Sequence, residues 1–250
     1  KEQKEKYLNA VITDKKIGAW ALTEPDIGSD AVHIKTTATK EGDEYVINGS
    51  KTFITNAPIA DYFIVIANSG GKGFESGTAF ILEKGMKGLS VSQPFLKHGH
   101  RGSPTGQVFL DHVRVPVSQR LGDEGKAFYD MKHSLDIERL MLGPMVIGML
   151  KALLKKSVNY AKSREQFGQP IIQFQMIQEK LAEMKLNLEI VKALTEKGIA
   201  MLEKDQSINE VAAALKLYAG RVSVEASSQA MQIHGGNGYM HEYGVDMFLR

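Results

Sequence analysis

The chain has 250 residues, 43% of them hydrophobic and 24% charged, which provides for one large core or two smaller ones and is far from the composition of a disordered segment. Its 31 basic and 29 acidic residues leave a formal net charge of +2, so no overall basic excess argues for nucleic acid as a partner. With no cysteine, disulfides, thiol nucleophiles and thiolate metal sites are excluded together, which suits a reducing compartment. No apolar run approaches the roughly 20 residues a membrane helix needs, and no apolar segment follows the charged start Lys1–Lys6 as in a signal peptide. A soluble intracellular protein with no membrane partner is the expectation.

In chain order, the stretch from about Gly18 to Pro116 carries short β-type runs: Tyr45-Val46-Ile47, Lys51–Thr55, Tyr62–Ile66, Thr78–Leu82 and Gln107–Leu110. Glycine and proline punctuate them. Asn48-Gly49 reads as a type I′ hairpin turn between the first two runs, because both central residues of that turn need positive φ. Many short strands without intervening helix predict a compact antiparallel β domain, sandwich or barrel.

From about Gly122 onward the apolar spacing changes to three and four. One helix is expected from near Gly125 to Ser163, kinked at Pro144. A second places Leu181, Met184, Leu188, Val191 and Leu194 on one face, and a third does the same with Ile208, Val211, Leu215, Tyr218 and Val222. The expected fold class is therefore α+β: a β domain over 1–120, then an antiparallel helical bundle over 121–250. The chain opens without methionine and ends on Phe248-Leu249-Arg250 with no turn signal, so it reads as a piece of a longer protein.

Four segments in order carry a resemblance: Trp20-Ala21-Leu22-Thr23-Glu24-Pro25-Asp26-Ile27-Gly28-Ser29-Asp30; Asn48-Gly49 followed by Lys51-Thr52-Phe53-Ile54-Thr55-Asn56; Arg164-Glu165-Gln166-Phe167-Gly168; and Gln232-Ile233-His234-Gly235-Gly236-Asn237-Gly238-Tyr239. The set resembles the acyl-CoA dehydrogenase family and covers nearly the whole chain. The family's amino-terminal helical domain has no counterpart here, and its last stretch would lie beyond Arg250. The resemblance implies FAD as cofactor, an acyl-CoA as substrate and an electron-transferring flavoprotein as acceptor, in bacterial cytoplasm or a mitochondrial matrix. It implies that Thr23 and Thr55, with Leu22 beside them, bind the flavin ring, that Trp20 and Phe53 pack beside it, and that Ser29 lies near the thioester. It also implies that Arg164, Phe167 and Gln175 reach the FAD of a neighbouring subunit, with Gln232, Gly235 and Gly236 forming the adenosine-diphosphate cradle. Arginine's planar fork suits a pyrophosphate, and glycine lets backbone amides come close to it. FAD sites shared across a homodimer or homotetramer follow.

The same resemblance points to a base. Some members, the isovaleryl and long-chain types, carry it in a motif like Leu-Asp-x-Glu-Arg-Leu, and this chain reads Leu135-Asp136-Ile137-Glu138-Arg139-Leu140. Glu138 is the candidate catalytic base, expected in a dry cavity, and Arg139 its support on the substrate side. His98 with His100 and His234 with His241 lack the spacing or carboxylate context of a metal site, so no metal is expected. Lys151, Lys155 and Lys156 read as a solvated helix face.

Overall fold

The periods of two and of 3.6 separate cleanly along the folded chain. The computed structural model describes residues 2–250, which divide into two units, one ending at Lys132 and one beginning at His133.

In the first unit a short helix, α1 (Asn9–Thr13), precedes the strands β1 (Gly18–Ala21), β2 (Thr37–Glu41), β3 (Glu44–Thr55), β4 (Tyr62–Asn68), β5 (Gly77–Glu83), β6 (Leu89–Val91), β7 (Thr105–Pro116) and β8 (Arg120–Leu121). All eight join one sheet in the order β6-β7-β3-β2-β4-β5-β8, with β1 attached to β4. Strict alternation turns Ala19 and Ala21 inward from β1 and leaves Gly18 and Trp20 outward. Tyr45, Phe63, Phe80, Leu82, Val108 and Val113 fill the core.

Two expectations need correction. The sheet is not wholly antiparallel, since β1 and β2 both run parallel to β4. Nor is Asn48-Gly49 a hairpin: β3 runs straight through it, and the dipeptide forms an irregularity in the pairing with β7 between Ile47 and Gly49. Asn48 Oδ1 accepts the His112 N–H at 2.8 Å. Gly49 has φ +148°, and a Cβ there would stand 2.5 Å from Thr36 Oγ1. The hairpin turn lies instead at Gly42-Asp43, between paired Glu41 and Glu44, with Gly42 at φ +63°.

The helix α2 (Ala127–Ser163) begins in the first unit, where Ala127 and Phe128 are buried with Ile27, Ile34, Ile66 and Ala79. It continues past Lys132 into the second unit and runs on through Pro144. There a two-stranded hairpin, β9 (Glu165–Gln166) and β10 (Gln169–Pro170), leads to α3 (Gln175–Leu202) and α4 (Asn209–His234). Leu140, Leu150, Leu153, Met184, Leu188, Val191, Leu215 and Val222 form the shared core, on the stripes the spacing predicts. Helix α3 opposes α2, because Gly143 meets Thr195 and Gly198 meets Leu140. It opposes α4 as well, through Asn187 with Tyr218 and Glu183 with Gln229. At the α2–α3 approach, a Cβ on Gly143 would lie 2.2 Å from Thr195 Oγ1 and one on Gly198 2.4 Å from Leu140 Cδ1. Glycine is what lets the two backbones come this close.

Candidate functional site

In the first unit the residues expected at the flavin ring gather around the exit of β1 and the end of β3. Trp20 projects outward from β1 and Leu22 and Thr23 follow it half-buried. The Thr52 N–H donates to the Thr23 carbonyl at 2.8 Å, fastening that loop to β3. Phe53, the next residue, has φ +56° and is 69% exposed. Left-handed backbone is costly for a bulky side chain, and here it coincides with a slip in register against β7 between Lys51 and Ile54. The Phe53 ring sits 5.7 Å from that of Phe95. Thr55 and Ser29 are exposed.

Behind this rim lies a buried ion pair. Lys51 Nζ donates to Glu24 Oε1 at 2.8 Å and to the Leu22 carbonyl at 3.0 Å. Burial pushes the Glu24 carboxyl up, but hydrogen bonds from Lys51, Thr36 and Lys35 outweigh it and hold the group below its ordinary range. Burial wins at Lys51, whose ammonium is lowered to about 8 despite Glu24. The two shifts favour opposite partners because the carboxylate gathers three donors while the ammonium recovers less of its lost hydration.

In the second unit, Tyr160, Arg164, Gln166, Ile171, Ile233, His234, Gly235, Gly236 and Asn237 line a cavity of about 390 Å³. Helix α4 ends there because Gly235, at φ +57° and ψ −137°, takes a conformation that L side chains rarely adopt. Nothing lies within 4 Å of where a Cβ on Gly235 or Gly236 would point, so the turn leaves an open cradle on the side of an arginine. This suits a diphosphate. His234 stacks on Tyr160 with centroids 4.4 Å apart and donates from Nδ1 to the Ala230 carbonyl at 2.7 Å. Its burial, chiefly, lowers its pKa. Asn237 Nδ2 donates to the Tyr160 hydroxyl at 2.9 Å. Phe167 and Gln175 do not join this cavity; both stand exposed, Phe167 with φ +54° at the tip of the hairpin. Gln232 is exposed on the preceding turn.

Glu138 lies on α2 in the second unit. The helix turns Asp136 and Leu140 inward, and Glu138 comes out exposed on a face with Met141 and Met145. The dry cavity expected around it is not built by the described residues. Arg139 does not support Glu138: its guanidinium donates to Asp136 at 2.9 Å, and Asn209 donates to the same carboxylate at 3.1 Å. Arg139 also borders a groove of about 1170 Å³ along α4, with Lys216, Arg221 and Val224. That groove is the larger cavity, but it has no glycine turn or strained backbone.

Among the described residues no group of three or more His, Cys, Asp or Glu could hold a metal ion, and no helix is long and apolar enough to cross a membrane. Sequence reasoning gave no role to Glu24, Lys51, Tyr160 or Asn237. Tyr160 could have been found, since it precedes Arg164 by one helical turn.

Residues 19–113 match the acyl-CoA dehydrogenase middle domain and residues 125–250 the acyl-CoA dehydrogenase C-terminal domain. A probable acyl-CoA dehydrogenase of Bacillus subtilis, YngJ, is 42% identical over all of this chain and 66% of its own length. The structure of butyryl-CoA dehydrogenase from Megasphaera elsdenii is 39% identical with a TM-score of 0.95, covering 99% of this chain and 65% of its own. The FAD complex of PigA is 36% identical with a TM-score of 0.96, again over 99% and 65%. The chain thus spans just under two thirds of the length of these relatives. With matched domains over most of its length and motifs in the same order, it belongs to the acyl-CoA dehydrogenase family.

Proposed function

We propose that the protein is a flavin-dependent dehydrogenase that removes two hydrogens from adjacent carbons of an acyl-CoA thioester. The observation that carries this reading is the open glycine turn at the end of α4 facing the Arg164 cavity, a place shaped for the diphosphate of FAD. The PigA complex with FAD supports the same cofactor.

When bound, FAD supplies the hydride acceptor. Thr23 and Thr55 would hydrogen-bond the flavin, Leu22 and the outward aromatics Trp20 and Phe53 would pack beside it, and Ser29 would bind near the substrate's thioester. Arg164, Phe167 and Gln175 would reach the FAD of a second copy, and Gln232, Gly235 and Gly236 would form the cradle for its adenosine-diphosphate half, also contributed across the dimer, so that a homodimer or homotetramer completes each site. Glu138 takes the proton next to the thioester carbonyl. A carboxylate in water is a poor base for so weak an acid, so Glu138, exposed in this chain, would act only where bound substrate excludes water from it. Arg139 orders the helix through Asp136. An electron-transferring flavoprotein is the partner that would accept the electrons.

The test is Glu138→Gln in the full-length enzyme. FAD should remain bound, while bleaching of the flavin by acyl-CoA slows by roughly 10²–10⁴-fold, the usual worth of a positioned base. Bleaching at the wild-type rate would remove Glu138 from the mechanism. Rapid reaction of the reduced enzyme with oxygen would mark an oxidase instead, and bleaching only by a carrier-protein thioester would move the substrate from CoA to that carrier.

A further inference from the structure

The buried charge pair joins stretches far apart in sequence. Lys51, with no side-chain exposure, binds Glu24, itself only 4% exposed, 27 residues earlier. Glu24 Oε2 also accepts the Lys35 N–H at 2.7 Å and Oε1 the Thr36 N–H at 2.9 Å. The exit of β1, the approach to β2 and the middle of β3 are therefore held at one point. Because Lys51 also donates to the Leu22 carbonyl, and Thr52 N–H to that of Thr23, the loop that carries Leu22 and Thr23 is fastened to β3 twice in succession.

Phe53 comes next, in left-handed backbone and largely exposed. Such a residue persists only where its surroundings over-determine it. Lys51 is anchored inward and the backbone of residue 52 is tied to Thr23, so the one-residue slip against β7 is taken up at 53. Stability alone explains the pair poorly, because well-packed apolar side chains often serve as well as a buried ion pair. What apolar side chains cannot do is grip the Leu22 carbonyl and the Lys35 and Thr36 amides in fixed directions.

We propose that Glu24 and Lys51 are positioning residues: their buried pair sets the Leu22–Thr23 loop and the outward turn of Phe53, so that the rim meeting the flavin ring is formed before cofactor arrives. This rests on the FAD reading above. Neither side chain touches the ring; both act through backbone.

The experiment compares Lys51→Met with Leu82→Ala in the full-length protein. Leu82 is fully buried in the same sheet and has no part in the rim, so its loss reports destabilisation alone. The readouts are FAD affinity of the folded fraction, the fine structure of the bound flavin's absorption band, and, in cofactor-free protein, the emission of Trp20, the single tryptophan of these 250 residues, identified as the part that Trp20→Phe removes. Lys51→Met should weaken FAD by about tenfold or more, since a rim that must be ordered on binding costs affinity. It should also blur the band and shift Trp20 emission. Leu82→Ala, at a comparable loss of Tm, should do none of these. Equal FAD affinity and unchanged Trp20 emission in Lys51→Met would overturn the proposal. If Lys51→Met does not fold, Glu24→Gln takes its place: it keeps the volume and one acceptor oxygen, and the same changes are expected at about threefold in affinity. No change there would overturn the proposal equally. Wild-type protein that binds no FAD would sink the flavin reading alone, while Trp20 emission of the cofactor-free variants would still decide whether the pair shapes the loop.

Discussion

The two units prepare their candidate residues by opposite means. The sheet unit distorts its own backbone: Phe53 is left-handed, Gly49 has no room for a side chain, and a buried ion pair ties three segments. The bundle leaves its helices regular and presents groups at their ends and outer faces, Arg164 after α2, Gly235 after α4 and Glu138 on the surface of α2. A flat ring needs a surface of fixed shape, which strain held by the core supplies. A diphosphate needs donors and positive charge at the right spacing, which the Arg164 guanidinium and the amides of the glycine turn can supply just past the helix ends.

The comparison breaks most readily at Lys51. Removing one partner of a buried pair leaves the other charge stranded, so Lys51→Met should lower unfolding stability by about 3–5 kcal/mol, whereas Arg164→Ala, at an exposed arginine, should cost less than about 0.5 kcal/mol. Denaturant titration followed by Trp20 emission and by helical circular dichroism measures both. Similar losses would mean that the bundle also leans on its candidate residues.

An intermediate effect is expected inside the bundle. Gly143→Ala drives a Cβ into Thr195 Oγ1, a group already bonded to the Val191 carbonyl at 2.7 Å. Overpacking of this kind costs about 1–3 kcal/mol and should exceed the helix-propensity gain of about 1 kcal/mol. With Thr195→Ala in place the same change should become neutral or stabilising. Additive losses in that double-mutant cycle would show that the helices adjust their spacing freely.

The two units should also respond to pH, in different windows. His234 has a lowered pKa when folded, so the unfolded chain binds its proton first and stability falls as pH drops below about 6.5. His234→Phe, which keeps a ring against Tyr160, should flatten that decline. Lys51 is lowered to about 8; the unfolded chain keeps this proton to about 10.5, so wild-type stability should rise relative to Lys51→Met across that interval. Melting curves from pH 5 to 10.5 test both signs.

What the sequence disclosed follows from distance along the chain. The stripe Met184, Leu188, Val191 and the stripe Val211, Leu215, Val222 are local patterns, and the helices lie where that spacing puts them. The glycine turn and Arg164 were readable as motifs, although their meeting at one cavity was implied by resemblance, not by spacing. Asn48-Gly49 misleads because the same dipeptide serves a turn or a bulge, and the choice rests with β7, some sixty residues on, which pairs with both sides of it. The parallel pairing of β1 with β4 left no trace in β1 itself, where Ala19 and Ala21 alternate inward whatever the direction of the neighbour. Lys51 looked like any strand lysine, since its burial depends on a partner 27 residues earlier. Glu138 could be placed on its helix but not dried, because the sequence names the residue and not what lies against it.

The seam between the units has a practical consequence. It falls between Lys132 and His133, inside α2, a single helix from Ala127 to Ser163. Proteases cut extended chain, so limited digestion should nick the loops around Gly70 and Gly102 and spare this junction. Anyone wishing to express either half alone must choose between amputating the first turns of a helix and carrying them over as an orphaned amphipathic tail.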